Sequence, residues 1–125
     1  MIGIPFPDCG GDVLAPGKKE HAVQIIDVRD LAELMVKLLE DGRGGIYNVA
    51  GPKGVLTAHE FYPAAAKAID AKVTFTYVDD YDFLAAHKIE EAIPWAMLRG
   101  NDDGMMSVKN GKAIAAGLTF RPLAT

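Results

Sequence analysis

The residues that could carry chemistry in this chain are few and far apart. Ser107 is the only serine and Cys9 the only cysteine. An acyl-transfer serine needs a strained Gly-x-Ser-x-Gly turn that exposes its hydroxyl, and nothing of that kind surrounds Ser107. It reads as a helix cap. Cys9 sits in a Pro/Gly-rich stretch with no base beside it, and a thiol without such a partner is a weak nucleophile. His21, His59 and His87 lack metal-ligand spacing. His59-Glu60 begins like a zinc protease motif, but Phe61-Tyr62-Pro63 follows and the second histidine is missing. Asp79-Asp80-Tyr81-Asp82 lacks the glycine and terminal glutamate of a calcium loop, so capping is the better account.

Phosphate cradles fare no better. Gly42-Arg43-Gly44-Gly45 lacks a third glycine at the right spacing, and it precedes an expected strand instead of following one. The stretch Gly11 to Gly17 encloses five residues where a Walker loop has four, and Lys18 is followed by Lys19 rather than a hydroxyl residue. No residue is therefore assigned a catalytic, cofactor-binding or metal-binding role.

Four polar or aromatic residues remain as candidate substrate contacts: Arg29, Asn48, Trp95 and Arg121. Arg29 lies between Asp27 and Asp30, where a corner-fixing salt bridge competes with ligand contact. Asn48 sits in an apolar run and needs partners for its amide if it is buried; tying a neighbouring loop would provide them. Trp95 and Arg121 supply an aromatic face and a guanidinium, both common in substrate pockets and equally common in structural roles.

The elements that would position these groups alternate. Val23 to Val28 is β-branched and reads as a strand, with Val23, Ile25 and Val28 inward and Ile26 suggesting cover on both faces. Asp30 and Glu33 form the pattern of a capping box opening a helix that Gly42 ends. Leu31, Leu34, Met35, Leu38 and Leu39 give that helix one apolar stripe, and Glu33 is spaced to pair with Lys37. Gly45 to Ala50 reads as a second strand ended by Gly51-Pro52. Thr57 and Glu60 form a second capping box, before a helix over 58–70 with Phe61, Ala65, Ala68 and Ile69 on one side. Pro63 implies a kink, or a helix that starts near it.

Residues 72–78 alternate as a third strand, and Asp79 caps a short helix to about His87. A final helix from Ser107 or Asn110 reaches Ala116, with Gly117 as its C-cap. The first twelve residues read as loop, and Pro94-Trp95 breaks any helix. The order implies an α/β chain forming one domain over 1–125, with a small mixed sheet and three to four flanking helices.

Composition narrows the classes. The chain has 125 residues, half of them hydrophobic and 24% charged, which fits a globular domain rather than a disordered one. A net charge of −4 argues against a nucleic-acid partner, because phosphate neutralisation needs clustered Lys and Arg. No segment approaches the roughly 20 apolar residues that cross a bilayer. A lone cysteine and the lack of a signal-like start point to the cytoplasm.

Several stretches together carry a resemblance. Val23-Gln24-Ile25-Ile26-Asp27-Val28-Arg29-Asp30-Leu31-Ala32, then Gly45-Ile46-Tyr47-Asn48-Val49-Ala50-Gly51-Pro52, resembles the C-terminal half of NAD-dependent epimerase/dehydratase proteins, the extended short-chain dehydrogenases/reductases. Gly10 to Gly17 resembles the stretch upstream in reductase-like members, and Lys112 to Leu123 resembles their terminal helix and loop.

The resemblance implies a substrate-binding lobe without its Rossmann core, in a family that uses NAD or NADP. In that family a glycine-rich loop holds the cofactor and a Tyr-x-x-x-Lys pair does the chemistry. Neither occurs here: Tyr62 and Lys67 are one residue too far apart, and Ala85 stands four residues after Tyr81. The implied chain is not catalytic alone and needs no cofactor of its own. Family members usually continue into a further helix past the position of Thr125, so the chain reads as truncated. Its partners would be a small-molecule substrate and either a missing Rossmann domain or further copies of itself, since strands deprived of that neighbour expose edges and apolar faces.

Overall fold

The computed structural model describes residues 10–93 and 104–123. Trp95, Cys9 and the Pro94 break lie outside them. Among the described residues the chain is a small mixed α/β protein with two two-stranded sheets and four α-helices.

Strand β1 (Gly11–Pro16) pairs in parallel with β4 (Val73–Val78), Gly11 opposite Val73 and Pro16 opposite Val78. The strand expected over 72–78 is therefore present. It pairs with a segment expected to be partly loop, for β1 begins at Gly11, where glycine tolerates a φ of 133°. A parallel pair needs a long crossover, and α2 (Ala58–Ala68) lies within it. The α2 helix packs on β1 through Ala58, Phe61 and Tyr62 against Ala15, and the buried Tyr62 hydroxyl donates to the Pro16 carbonyl at 2.8 Å.

Thr57 caps α2 as its spacing predicts. The hydroxyl accepts from the Glu60 amide, and the Glu60 carboxylate accepts from the Thr57 amide at 2.9 Å. Pro63 stands inside this helix, exposed on its outer side, and the helix still starts at Ala58. Its buried face differs from the expected one. Tyr62 and Ala66 are buried, while Ala68 and Ile69 face outward.

The strand expected over 23–28 contracts to β2 (Ala22–Val23), paired antiparallel with β3 (Leu56–Thr57). Helix α1 (Val28–Glu40) starts earlier than expected. Asp27 is its N-cap, accepting the Arg29 amide at 2.8 Å, and Val28 is the first helical residue and 72% exposed. The Asp30/Glu33 capping box and the inward Val28 are thus corrected, because a carboxylate three residues upstream reaches the free amides first. Glu33 pairs with Arg121 instead of Lys37, and Lys37 pairs with Asp41 at 3.1 Å. The apolar stripe also divides: Leu34 is buried and Leu38 partly so, while Met35 and Leu39 are exposed.

Residues 45–50 form no strand. Their alternation survives, with Tyr47 and Val49 against the core and Ile46 and Asn48 exposed. One backbone bond, Ile25 N–H to the Gly51 carbonyl at 3.1 Å, joins them to the segment after β2. Side chains replace the missing ladder. Gln24 bonds both the amide and the carbonyl of Val108 at 2.9 Å, Lys112 Nζ donates to the Ile46 carbonyl, and Asn110 Nδ2 donates to the Ala50 carbonyl at 2.7 Å. Backbone polar groups need partners of some kind, and here the loop before α4 (Gly111–Ala115) and the first turn of that helix supply them.

Helix α3 (Tyr81–Ala86) is capped by Asp80 rather than Asp79, and it buries Leu84 completely. A short 3-10 turn over Ile89–Ala92 follows it. Helix α4 ends as the sequence predicts. Gly117 takes a φ of 110°, the Leu118 amide reaches back to the Ala113 carbonyl at 2.9 Å, and Leu118 is buried.

Among the described residues two apolar clusters result. One gathers Ala15, Val23, Ala58, Phe61 and Tyr62; the other gathers Leu34, Ala113, Ala116 and Leu118. Ile25 packs on the first and its neighbour Ile26 on the second. The two side chains enter different clusters, so this dipeptide stands between them.

Candidate functional site

A cleft of about 250 Å³ opens where the two clusters meet. Its walls come from three stretches: Ile25, Ile26 and Asp27 before α1; Pro52 and Leu56 near β3; and the segment Phe120–Leu123 after α4. Gly51, buried and joined to Pro52 by a cis peptide bond, lets these walls approach. A Cβ there would meet the Ile25 carbonyl oxygen at 2.5 Å and the Phe120 ring at 3.1 Å.

The polar side of the cleft is a chain of ion pairs. Asp30, in the first turn of α1, is only 3% exposed. One of its oxygens accepts the Arg121 amide at 2.9 Å, and the other pairs with the Arg121 guanidinium. The same guanidinium reaches Glu33 one helical turn further on. Asp27 accepts the amide and the guanidinium of Arg29, with Nε at 2.9 Å. Those hydrogen bonds, first the side-chain one and then the backbone one, hold the Asp27 carboxyl well below the usual carboxylate range. Arg29 is pushed up by its bond to Asp27, and Arg121 by its bond to Glu33.

The four candidate contacts divide. Arg121 lines the cleft and ties its wall to α1. Arg29 does not line it but braces Asp27, which does; the corner salt bridge is what forms. Asn48 stays exposed, with Nδ2 3.4 Å from the Lys109 carbonyl, so it ties a loop and is not brought to the cleft. Trp95 falls outside the described residues.

Two members of this arrangement do not stand out in the sequence as site residues. Asp30 reads there as a cap, and its burial depends on a partner 91 positions away. Asn110 Nδ2 donates to the carbonyls of Ala50 and Pro52, fixing the loop that carries Pro52 into the wall. The spacing of Asp27 and Asp30 held a usable signal: two acids three residues apart cannot both be the cap, so one is free for another partner.

Away from the cleft, the Tyr81 hydroxyl lies 3.0 Å from His21 Nδ1 and accepts the Lys18 amide, joining α3 to the turn after β1. His59 stacks on Tyr77 with ring centres 4.0 Å apart. It is partly buried in the first turn of α2.

The glycines of residues 42–45 do not fit a dinucleotide. They follow the C-terminal end of α1, where the dipole is negative, and the amides of Gly42 and Arg43 are already given to the carbonyls of Leu39 and Leu38. Among the described residues no helix is long and apolar enough to cross a membrane. Comparison with family models, curated proteins and solved structures finds no match for this chain.

Proposed function

We propose that this chain is the substrate-binding C-terminal lobe of an NAD(P)-dependent epimerase, dehydratase or reductase of the extended short-chain dehydrogenase/reductase type, not catalytic alone and cytoplasmic. One observation carries the reading. Three of the stretches that resemble that family converge on a single cleft: Ile25 to Asp27 from the first motif, Pro52 from the second, and Phe120 to Leu123 from the terminal one. The cleft is then where a small-molecule substrate rests, with Arg121 fixing its rim. A separate nucleotide-binding domain would bring the cofactor and the proton-transfer pair.

A second reading, a stand-alone binding or oligomerisation module derived from that family, is favoured by the outer side of α1. Val28, Met35, Val36 and Leu39 are all more than half exposed there. Apolar patches of this kind are usually covered in an assembly.

Calorimetric titration of the chain with NAD(H) and NADP(H) tests the leading reading. It requires no binding by the lobe alone. Saturable micromolar binding of either dinucleotide would overturn it.

A further inference from the structure

Taking the cleft as the ligand site, we propose that it selects uncharged, mainly apolar small molecules and rejects anions and cations of the same shape. The argument rests on how its charged side chains are already engaged. Three line it: Asp27, Asp30 and Arg121. Each is paired inside the protein.

An anion drawn to Arg121 must compete with two carboxylates. Asp30 holds the guanidinium and the backbone amide, and Glu33 holds the guanidinium from the other side. A cation drawn to Asp27 must displace Arg29, which already gives one backbone and three side-chain hydrogen bonds to the two carboxylate oxygens. Displacing either partner leaves a charge without its counter-ion, and the charged ligand would also shed hydration against apolar walls. A neutral ligand meets neither cost. Ile25, Ile26, Leu56, Phe120 and Leu123 offer it an apolar surface. The volume lies a little below the roughly 300–1,000 Å³ of typical ligand pockets, which favours a single ring over a nucleotide sugar.

Three probes of one shape test this: 2-phenylethanol, phenylacetate and 2-phenylethylamine, each titrated into the labelled chain. Binding is followed by the amide shifts of Ile26 and Phe120, with Leu84 as a remote control. The alcohol should bind at least five-fold more tightly than either ion. A charged probe that shifts Ile26 and Phe120 with equal or greater affinity would overturn the selectivity while leaving the cleft as the site. If no probe shifts those two amides at millimolar concentration, the cleft is not the site and both readings fall. Glu33→Ala provides a second measurement, since Glu33 is exposed and its loss frees one side of Arg121. Phenylacetate affinity should rise several-fold in that variant; an unchanged value would contradict the pairing argument.

Discussion

Asp30 and Arg121 are held together by two contacts of different kinds, one through the backbone amide and one through the guanidinium. A single carboxylate thus fixes both the path of the C-terminal segment and the direction of its side chain. Asp30→Asn keeps the shape and one acceptor but removes the charge. It should cost about 1–3 kcal/mol in urea denaturation, the range for leaving a buried charged partner under-bonded. Loss of ordered amide signals from Phe120, Arg121 and Leu123 should accompany that cost. An unchanged midpoint would show that the segment is held by Phe120 packing alone.

Acid should weaken two of the helix caps that bear carboxylates, those of α1 and α2. Asp27 and Glu60 are both lowered from their ordinary values of 3.8 and 4.5, by hydrogen bonds from Arg29 and Thr57 respectively. A lowered carboxyl contributes its full stability above the unfolded value and loses it as pH falls toward the folded one. Stability should therefore hold near neutrality and decline from about pH 4.5 downward. Asp27→Asn should flatten the lower part of that decline, and thermal melts across the range would read it.

Alkali acts on Tyr62. Burial pushes its hydroxyl above the ordinary value of 10.0, and the proton is the one donated to the Pro16 carbonyl. The raised value makes this contribution complete below pH 10 and lost as pH climbs past it. Tyr62→Phe should cost about 1 kcal/mol at neutral pH, an ordinary hydrogen-bond contribution. It should also reduce the alkaline slope seen in denaturant titrations of the parent.

The outer side of α1 should mediate self-association. Leu39 is 80% exposed and Met35 57%. Replacing either with glutamate removes apolar contact without disturbing Leu34 on the inner side. Sedimentation of the parent should show a dimer or larger species at micromolar concentration, and the variants should shift it toward monomer with unchanged melting. A monomeric parent would remove the oligomerisation reading.

What could be read in the sequence was whatever depends on near neighbours. The Thr57–Glu60 box, the Gly117 turn and the strand over 73–78 each rest on a few consecutive residues, and each is present. The one-residue and one-turn shifts of the Asp80 and Asp27 caps are local, and the larger errors fall where distant partners decide. Residues 45–50 alternate like a strand, yet Asn110 and Lys112 satisfy their carbonyls in place of a neighbouring strand. Asp30 has a capping residue's identity but is claimed by Arg121. The cleft follows the same rule. Ile25 and Ile26 hinted at two covered sides, whereas nothing local tells that Pro52 and Phe120 arrive beside them.

The placement of Ile25 and Ile26 has a mechanical meaning. Neighbouring links of one chain are anchored in separate apolar bodies, so neither body can shift without tugging the other through a single peptide bond. A molecule lodged in the cleft would press on both anchors like a rivet through two plates. Its binding should slow hydrogen exchange at Val23 and Leu118 alike, although those residues belong to different clusters.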